Sequence, residues 1–181
     1  MTLNRNNCLF LIIDIQEKLL NAVFNKEIVS KKSEILTKAF NILEIPTIIT
    51  EQYPKGLGNT VESINSNLND PKNYFEKCSF NALAEENILN EICKHEKKQI
   101  IVIGIETHIC VYQTVIDLLN KGFKVTVIKD ACGSREECEY LSALDIMKEM
   151  GAKIKTSEMV IFELLKTSKH PRFKEIQSLI K

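Results

Sequence analysis

The chain reads as an α/β protein with a three-layer α-β-α, Rossmann-like fold around a mostly parallel sheet of about six strands. Three observations predict it. Residues 8–13 (CLFLII) and 100–103 (IIVI) are uninterrupted apolar runs, which suit strands buried on both faces rather than one. Such runs alternate with helical patterns of roughly 10–20 residues. The connections are short, and no linker, repeat or low-complexity segment divides residues 1–181, so a single domain with a well-buried core is expected.

Taken in order, the first strand (8–13) is followed by Asp14-Ile15-Gln16 and then by a long helical pattern from about Glu17 to Leu43, with a break near Asn25. Pro46 starts a second strand over 47–50. The Pro and Gly of Glu51-Gln52-Tyr53-Pro54-Lys55-Gly56-Leu57-Gly58 then predict a loop. A less regular stretch leads to a short extended segment, 74–77, and 82–95 is a helix. Residues 99–104 form the next strand, ending at Gly104. The elbow Ile105-Glu106-Thr107 opens a helix over 107–120, which ends at Lys121-Gly122, a typical C-cap. A strand over 123–128 ends at Lys129-Asp130-Ala131-Cys132-Gly133, and 135–150 is helical up to Gly151. Residues 153–156 are the last short strand, and 158–166 and 171–180 are terminal helices.

Composition narrows the function. Lys+Arg and Asp+Glu both number 24, so the net charge is zero and no broad field draws the chain to nucleic acid or to an anionic membrane; neither is expected as a partner. The polar MTLNRNN start does not resemble a signal peptide, and no apolar stretch approaches the ~20 residues needed to span a bilayer. A soluble, cytoplasmic protein is the expectation. The six cysteines include no CxxC, and a close Cys/His pair such as His108-x-Cys110 is short of the two well-spaced pairs a zinc site draws on, which favours reduced thiols and no structural metal. The strand–helix turns hold no GxGxxG or GxxxxGK[ST], so no nucleotide cofactor is expected.

In parallel α/β sheets reactive groups gather at the carboxyl ends of the strands, and Asp14, Glu51, Cys110 and Asp130 all fall at predicted strand ends. Cys110 enters the first turn of a helix, where free backbone N–H groups and the positive end of the macrodipole favour a thiolate. An inert core cysteine fits the same position. Asp14, interrupting an apolar run, fits either a partly buried general base or the N-cap of the next helix. Lys77, between Phe75 and Phe80, fits either a snorkelling surface lysine or a functional cation. Asp130 has capping or packing as its plainer role.

Together these positions resemble the isochorismatase-like cysteine hydrolases, the superfamily of nicotinamidases, N-carbamoylsarcosine amidohydrolase and isochorismatases. The matching motifs are strand-Asp14-x-Gln16, Phe75-Glu76-Lys77-Cys78-Ser79-Phe80, and Gly104-Ile105-Glu106-Thr107-His108-Ile109-Cys110-Val111. The likeness runs from Cys8 to about Leu165, and the 50–58 segment with the cysteine motif looks most like the isochorismatase domain-containing subgroup. The resemblance implies a catalytic triad of Asp14, Lys77 and Cys110. It also implies a cis peptide between Ile105 and Glu106, which aims the Glu106 N–H beside the Cys110 N–H as an oxyanion hole; the alternative is an ordinary trans turn with Glu106 as a surface carboxylate. The implied chemistry is metal-independent hydrolysis of a small amide-type C–N bond through a thioester, and the implied assembly is a homo-oligomer. If the second strand lies beside the first, Glu51, Gln52, Tyr53 and Leu57 line the substrate pocket, near Gln16. His108 and Ile109, beside the cysteine, line it too or face a subunit boundary.

Two departures bear on substrate. Nicotinamidases with a metal carry Asp-x-His and a further histidine, whereas residues 51–76 here contain none and the three histidines are 95, 108 and 170. Isochorismatases proper do not carry the nucleophilic cysteine, so Cys110 argues against isochorismate. The rival readings are a nicotinamidase-type amidase, a thiol redox protein pairing Cys110 with Cys78, Cys132 or Cys138, and a catalytically idle oligomeric scaffold.

Overall fold

Alternate residues of β1 (Cys8–Ile13) part to opposite sides of the sheet, which is why the sequence there is apolar without interruption. Cys8, Phe10 and Ile12 enter one core; Leu9, Leu11 and Ile13 enter the other. The same division splits β4 (Gln99–Ile105), with Ile101, Ile103 and Ile105 on the first side and Ile100 and Val102 on the second. The computed structural model describes residues 2–68 and 74–181. Part of the irregular stretch expected before Tyr74 therefore lies outside the described residues.

Among the described residues six strands form one parallel sheet, in the order β3-β2-β1-β4-β5-β6. The remaining strands are β2 (Thr47–Gln52), β3 (Tyr74–Lys77), β5 (Lys124–Gly133) and β6 (Lys153–Lys155). The first core is covered by α2 (Lys26–Ile42), α8 (Ser157–Leu165) and α9 (Phe173–Ile180), with the Phe40 ring meeting Phe10 edge-on at 4.6 Å. The second is covered by α5 (Glu86–Lys94), α6 (Tyr112–Asn120) and α7 (Glu137–Glu149). The order of strands reverses between β1 and β4, and ligand crevices in open parallel sheets form outside the strand ends at such a point.

The structure departs from the sequence reading at several boundaries. The break expected near Asn25 is present, dividing the helical pattern of 17–43 into α1 (Glu17–Ala22) and α2, because Val23 is extended and Phe24 N–H donates to Ser134 O at 3.0 Å. β2 runs on through Glu51 and Gln52, which were expected in the loop; their pairing with Glu76 and Lys77 of β3 carries it further. The loop itself contains the single turn α3 (Pro54–Leu57), started by proline at its first position, and α4 (Glu62–Asn65) follows. β5 continues to Gly133 past a register shift against β4, so Asp130 is not at a strand end. Its carboxylate accepts from Ser157 N–H and Oγ, both at 2.7 Å, and thereby holds the start of α8. Residues 107–111 form a π-helical turn ahead of α6 rather than the first turn of one α-helix.

Candidate active site

Three strand ends bring the singled-out side chains together at the reversal point. Asp14 follows β1 directly and has φ +52, a left-handed conformation that aspartate tolerates better than most residues. Its N–H donates to Thr50 O at 3.1 Å, and its fully buried carboxylate accepts from Thr50 Oγ1 through Oδ1 at 2.7 Å. It is therefore not the side-chain cap of α1, whose N-cap is Gln16. Oδ2 lies 2.7 Å from Lys77 Nζ in an ion pair between two side chains of zero exposure. That contact is out of line for a hydrogen bond, so Oδ2 has no aligned donor among the described residues.

Lys77 is not a snorkelling lysine. β3 ends on it, and its ammonium donates to Gln52 Oε1 at 2.6 Å and to Ser79 O at 3.1 Å. A charge this deep is tolerated because the carboxylate and these acceptors replace its hydration. Gln52 is fixed in turn: its N–H donates to Gln16 Oε1 at 2.7 Å and its Nε2 to Cys78 O at 2.8 Å. Gln16 Nε2 donates to Gln52 O and Gly58 O, so the two glutamines hold Lys77 and the 53–58 loop in one network.

Cys110 arrives from β4. Gly104 precedes it at φ +155, where a Cβ would overlap Ile13 O and come within 2.7 Å of Ile13 Cβ; only glycine lets β1 and β4 approach this closely. The Ile105–Glu106 peptide is cis. The thiol is 5% exposed and interacts with both the Asp14 carboxylate and the Lys77 ammonium. Burial, then the Asp14 charge, push it up from 9.0 to about 12, against the opposing pull of Lys77. This corrects the thiolate expected from the helix start: desolvation and a neighbouring anion outweigh the helix end and one cation.

Two of the other expected pocket residues, Glu51 and His108, point elsewhere. Glu51 is buried and accepts from Thr60 N–H at 2.6 Å and Oγ1 at 2.7 Å, so it braces the segment after the loop rather than facing a ligand. Glu106 is not a surface carboxylate: it is 9% exposed and accepts from Arg135 N–H at 3.1 Å and Nε at 3.0 Å. His108 Nδ1 lies 3.0 Å from Ser134 Oγ, turned toward the end of β5. Ile109 is half-buried against the second core. Tyr53, at φ +37, is exposed, and it lines a cleft of about 340 Å³ with Lys77, Cys78 and Glu85; Leu57 is half-buried beside it in the loop. Thr50, Ser134 and Arg135 carried no sequence signal, since each acts only through a partner 26 to 36 positions away. Among the described residues no group of three His, Cys, Asp or Glu is placed to hold a metal ion, and no helix is long and apolar enough to cross a membrane.

Comparisons with known proteins bear on the family and the fold. The model of the isochorismatase domain matches residues 8–159. Isochorismatase domain-containing protein 2 of Xenopus laevis is 44% identical, over 97% of this chain and 84% of its own. Among solved structures, MAR1 ribonuclease from Caenorhabditis elegans superposes with a TM-score of 0.93 at 38% identity, covering 99% of this chain and 92% of that one. YcaC from Pseudomonas aeruginosa, solved with hexane-2,5-diol and covalent acrylamide, gives 0.93 at 25% identity, covering 98% and 91%. YcaC from Escherichia coli, described as an octameric hydrolase of unknown specificity, gives 0.90 at 25% identity, covering 99% and 95%. The chain belongs to the isochorismatase family, whose α/β fold it has.

Proposed function

We propose that the protein is a cysteine hydrolase that cleaves a small amide-type C–N bond through a thioester, with Asp14, Lys77 and Cys110 as its triad. One observation carries the reading: a buried carboxylate with one unaligned oxygen sits between an ammonium at 2.7 Å and a neutral thiol. With the thiol pushed up to about 12, free thiolate is scarce and proton transfer must accompany attack. Asp14 takes the proton as sulfur bonds to the carbonyl carbon and the carbonyl π pair moves to oxygen. The N–H groups of Glu106 and Cys110 receive that oxyanion. The protonated carboxyl then gives its proton to the leaving nitrogen as the C–N bond breaks. A water deprotonated by Asp14 attacks the thioester, the C–S bond breaks, and the thiol regains its proton. Lys77 stays charged throughout and stabilises the ionised carboxylate, while Gln16 and Gln52 hold it in place. Tyr53, Leu57 and Ile109 border the substrate's approach, and every step uses side chains and water.

The covalent acrylamide in a relative supports the nucleophile part of the reading, since that molecule captures a nucleophile at its alkene carbon with its amide C–N bond intact. Ribonuclease, the name of another relative, fits less well: Lys77, the cation beside the thiol, is committed to Asp14, Gln52 and Ser79 and offers nothing to a phosphate. Self-association is part of the proposal. An octameric relative supports it, as does a groove of about 900 Å³ bordered by the exposed apolar side chains of Phe24, Ile28, Leu141 and Met159. The test of the hydrolase is a screen of small amides with mass spectrometry for an acyl adduct on Cys110. Cys110→Ala should abolish both turnover and adduct while keeping the fold; full turnover in that variant would end the proposal.

A further inference from the structure

The segment after β5 grips the cysteine turn at successive points. Ile105 pairs in register with Gly133. Glu106 Oε2 accepts two hydrogen bonds from Arg135, one from its backbone and one from its guanidinium. His108 Nδ1 meets Ser134 Oγ, and Ser134 is itself buried, with its carbonyl accepting from Phe24 N–H. On the other side, the Glu106 carbonyl accepts from Ile109 N–H at 3.1 Å and Val111 N–H at 3.3 Å, which opens the turn leading through Cys110. Glu106 is thus held through its side chain and its carbonyl, while Ile105, whose carbonyl shares a peptide plane with the Glu106 N–H, is paired with Gly133; together these anchors fix the residue that carries that N–H.

The partners are asymmetric. The Glu106 side chain is 11% exposed and that of Arg135 is 61% exposed. A pair that merely decorated the surface would leave the carboxylate hydrated and would not recruit a backbone N–H. Here the anion is drawn in under the turn and the cation remains largely in water.

We infer that Glu106 and Arg135 form a positioning clamp for the nucleophile turn, which sets how well the site stabilises negative charge on a substrate oxygen. The inference deepens the proposed hydrolase and rests on Cys110 being its nucleophile. Glu106 acts through its own backbone and through the turn, so its carboxylate and Arg135 are positioning residues.

Two alkylating reagents separate this role from a general structural one. In conjugate addition to acrylamide, sulfur bonds to the terminal alkene carbon and the alkene π pair shifts so that negative charge builds on the amide oxygen, before a proton reaches the α-carbon. In displacement on iodoacetamide, sulfur bonds to carbon as the C–I pair leaves with iodide, and no oxyanion forms. The ratio of the two rate constants at Cys110, followed by peptide mass spectrometry, therefore reads oxyanion stabilisation with thiol reactivity divided out. Glu106→Ala should lower that ratio by roughly tenfold to a hundredfold, up to the cost of a misplaced donor and below the roughly 10²–10³-fold cost of a lost one. Glu106→Gln, whose amide oxygen still accepts from Arg135 N–H, should recover most of it. Arg135→Ala should fall between the two and stands in for Glu106→Ala if that variant does not fold. An unchanged ratio in Arg135→Ala or in folded Glu106→Ala, or equal losses with both reagents, would overturn the clamp while leaving the nucleophile standing. If the acrylamide-to-iodoacetamide ratio at wild-type Cys110 is no higher than at the exposed Cys93 and Cys138, the hydrolase reading fails and the clamp falls with it.

Discussion

Asp14→Asn should make Cys110 more reactive toward a simple alkylating agent while abolishing hydrolysis. The thiol is pushed up to about 12 by burial first, then by the charge and hydrogen bond of Asp14, with Lys77 opposing. Removing the carboxylate leaves the ammonium unopposed. An adjacent charge moves a neighbour's ionisation by about 1–3 pKa units, so a fall of about two units is expected. At pH 8 the thiolate fraction then rises from roughly one in 10⁴ to roughly one in 10². The less basic thiolate is intrinsically slower, and a Brønsted slope of about 0.4–0.5 removes a factor of about 6–10. The net increase in the iodoacetamide rate constant is roughly tenfold. The variant also leaves Lys77 without its counter-charge, a loss approaching about 3–5 kcal/mol that Gln52 and Ser79 lessen, so circular dichroism must accompany the kinetics. The assay is labelling of Cys110 between pH 7 and 9, resolved by peptide. A rate at or below wild type throughout that range, in folded protein, would refute the electrostatic account of the raised thiol.

Lys77→Met strands the Asp14 carboxylate in a dry site and should lower unfolding stability by about 3–5 kcal/mol; an unshifted urea midpoint would contradict the buried pair. Gly104→Ala forces β1 and β4 apart and should cost at least about 2 kcal/mol, read as a lowered Tm. Burial raises the Cys8 and Cys132 thiols from 9.0 to about 11 and about 12. Unfolded thiols lose their protons near pH 9 while these keep theirs, so the stabilisation is complete below pH 9 and is lost as pH rises through 11 to 12. Tm should therefore fall over this range, and less steeply in Cys132→Ala; parallel curves would contradict it. Leu141→Glu places a charge on the apolar groove and should shift the mass measured by light scattering toward the monomer, whereas an unchanged assembly would show that copies meet elsewhere.

The sheet was legible because its information is local. A strand buried on both faces must be apolar at every position, so CLFLII and IIVI announce their depth without reference to the rest of the chain. The break near Asn25 was legible too, but its cause and the strand ends were not. The break after Ala22 depends on Phe24 and Asn25 bonding to the backbone of Ser134 and Cys132, more than a hundred positions away. The length of β2 depends on the pairing of Glu51 and Gln52 with β3, and the length of β5 on a register shift against β4; neither leaves a periodicity to read.

The site divides along the same line. Asp14, Lys77 and Cys110 stood out because each is a reactive side chain beside a strand, and topology alone places such ends at one rim. Their protonation states could not be read that way, because a pKa is a balance over three dimensions. A helix start argued for thiolate, but it contributes one modest favourable potential, while the surrounding core removes water from the sulfur and the next strand over supplies an anion. The supporting residues were hidden for a related reason. Gln52 was expected to line the pocket, not to hold Lys77, and Arg135 looks like an ordinary polar residue in sequence; what distinguishes them is that each meets a charge that has left water, Gln52 at Lys77 and Arg135 at Glu106. A buried charge recruits its partners wherever the fold brings them, and so the groups that tune a reactive centre are the ones that motif spacing finds last.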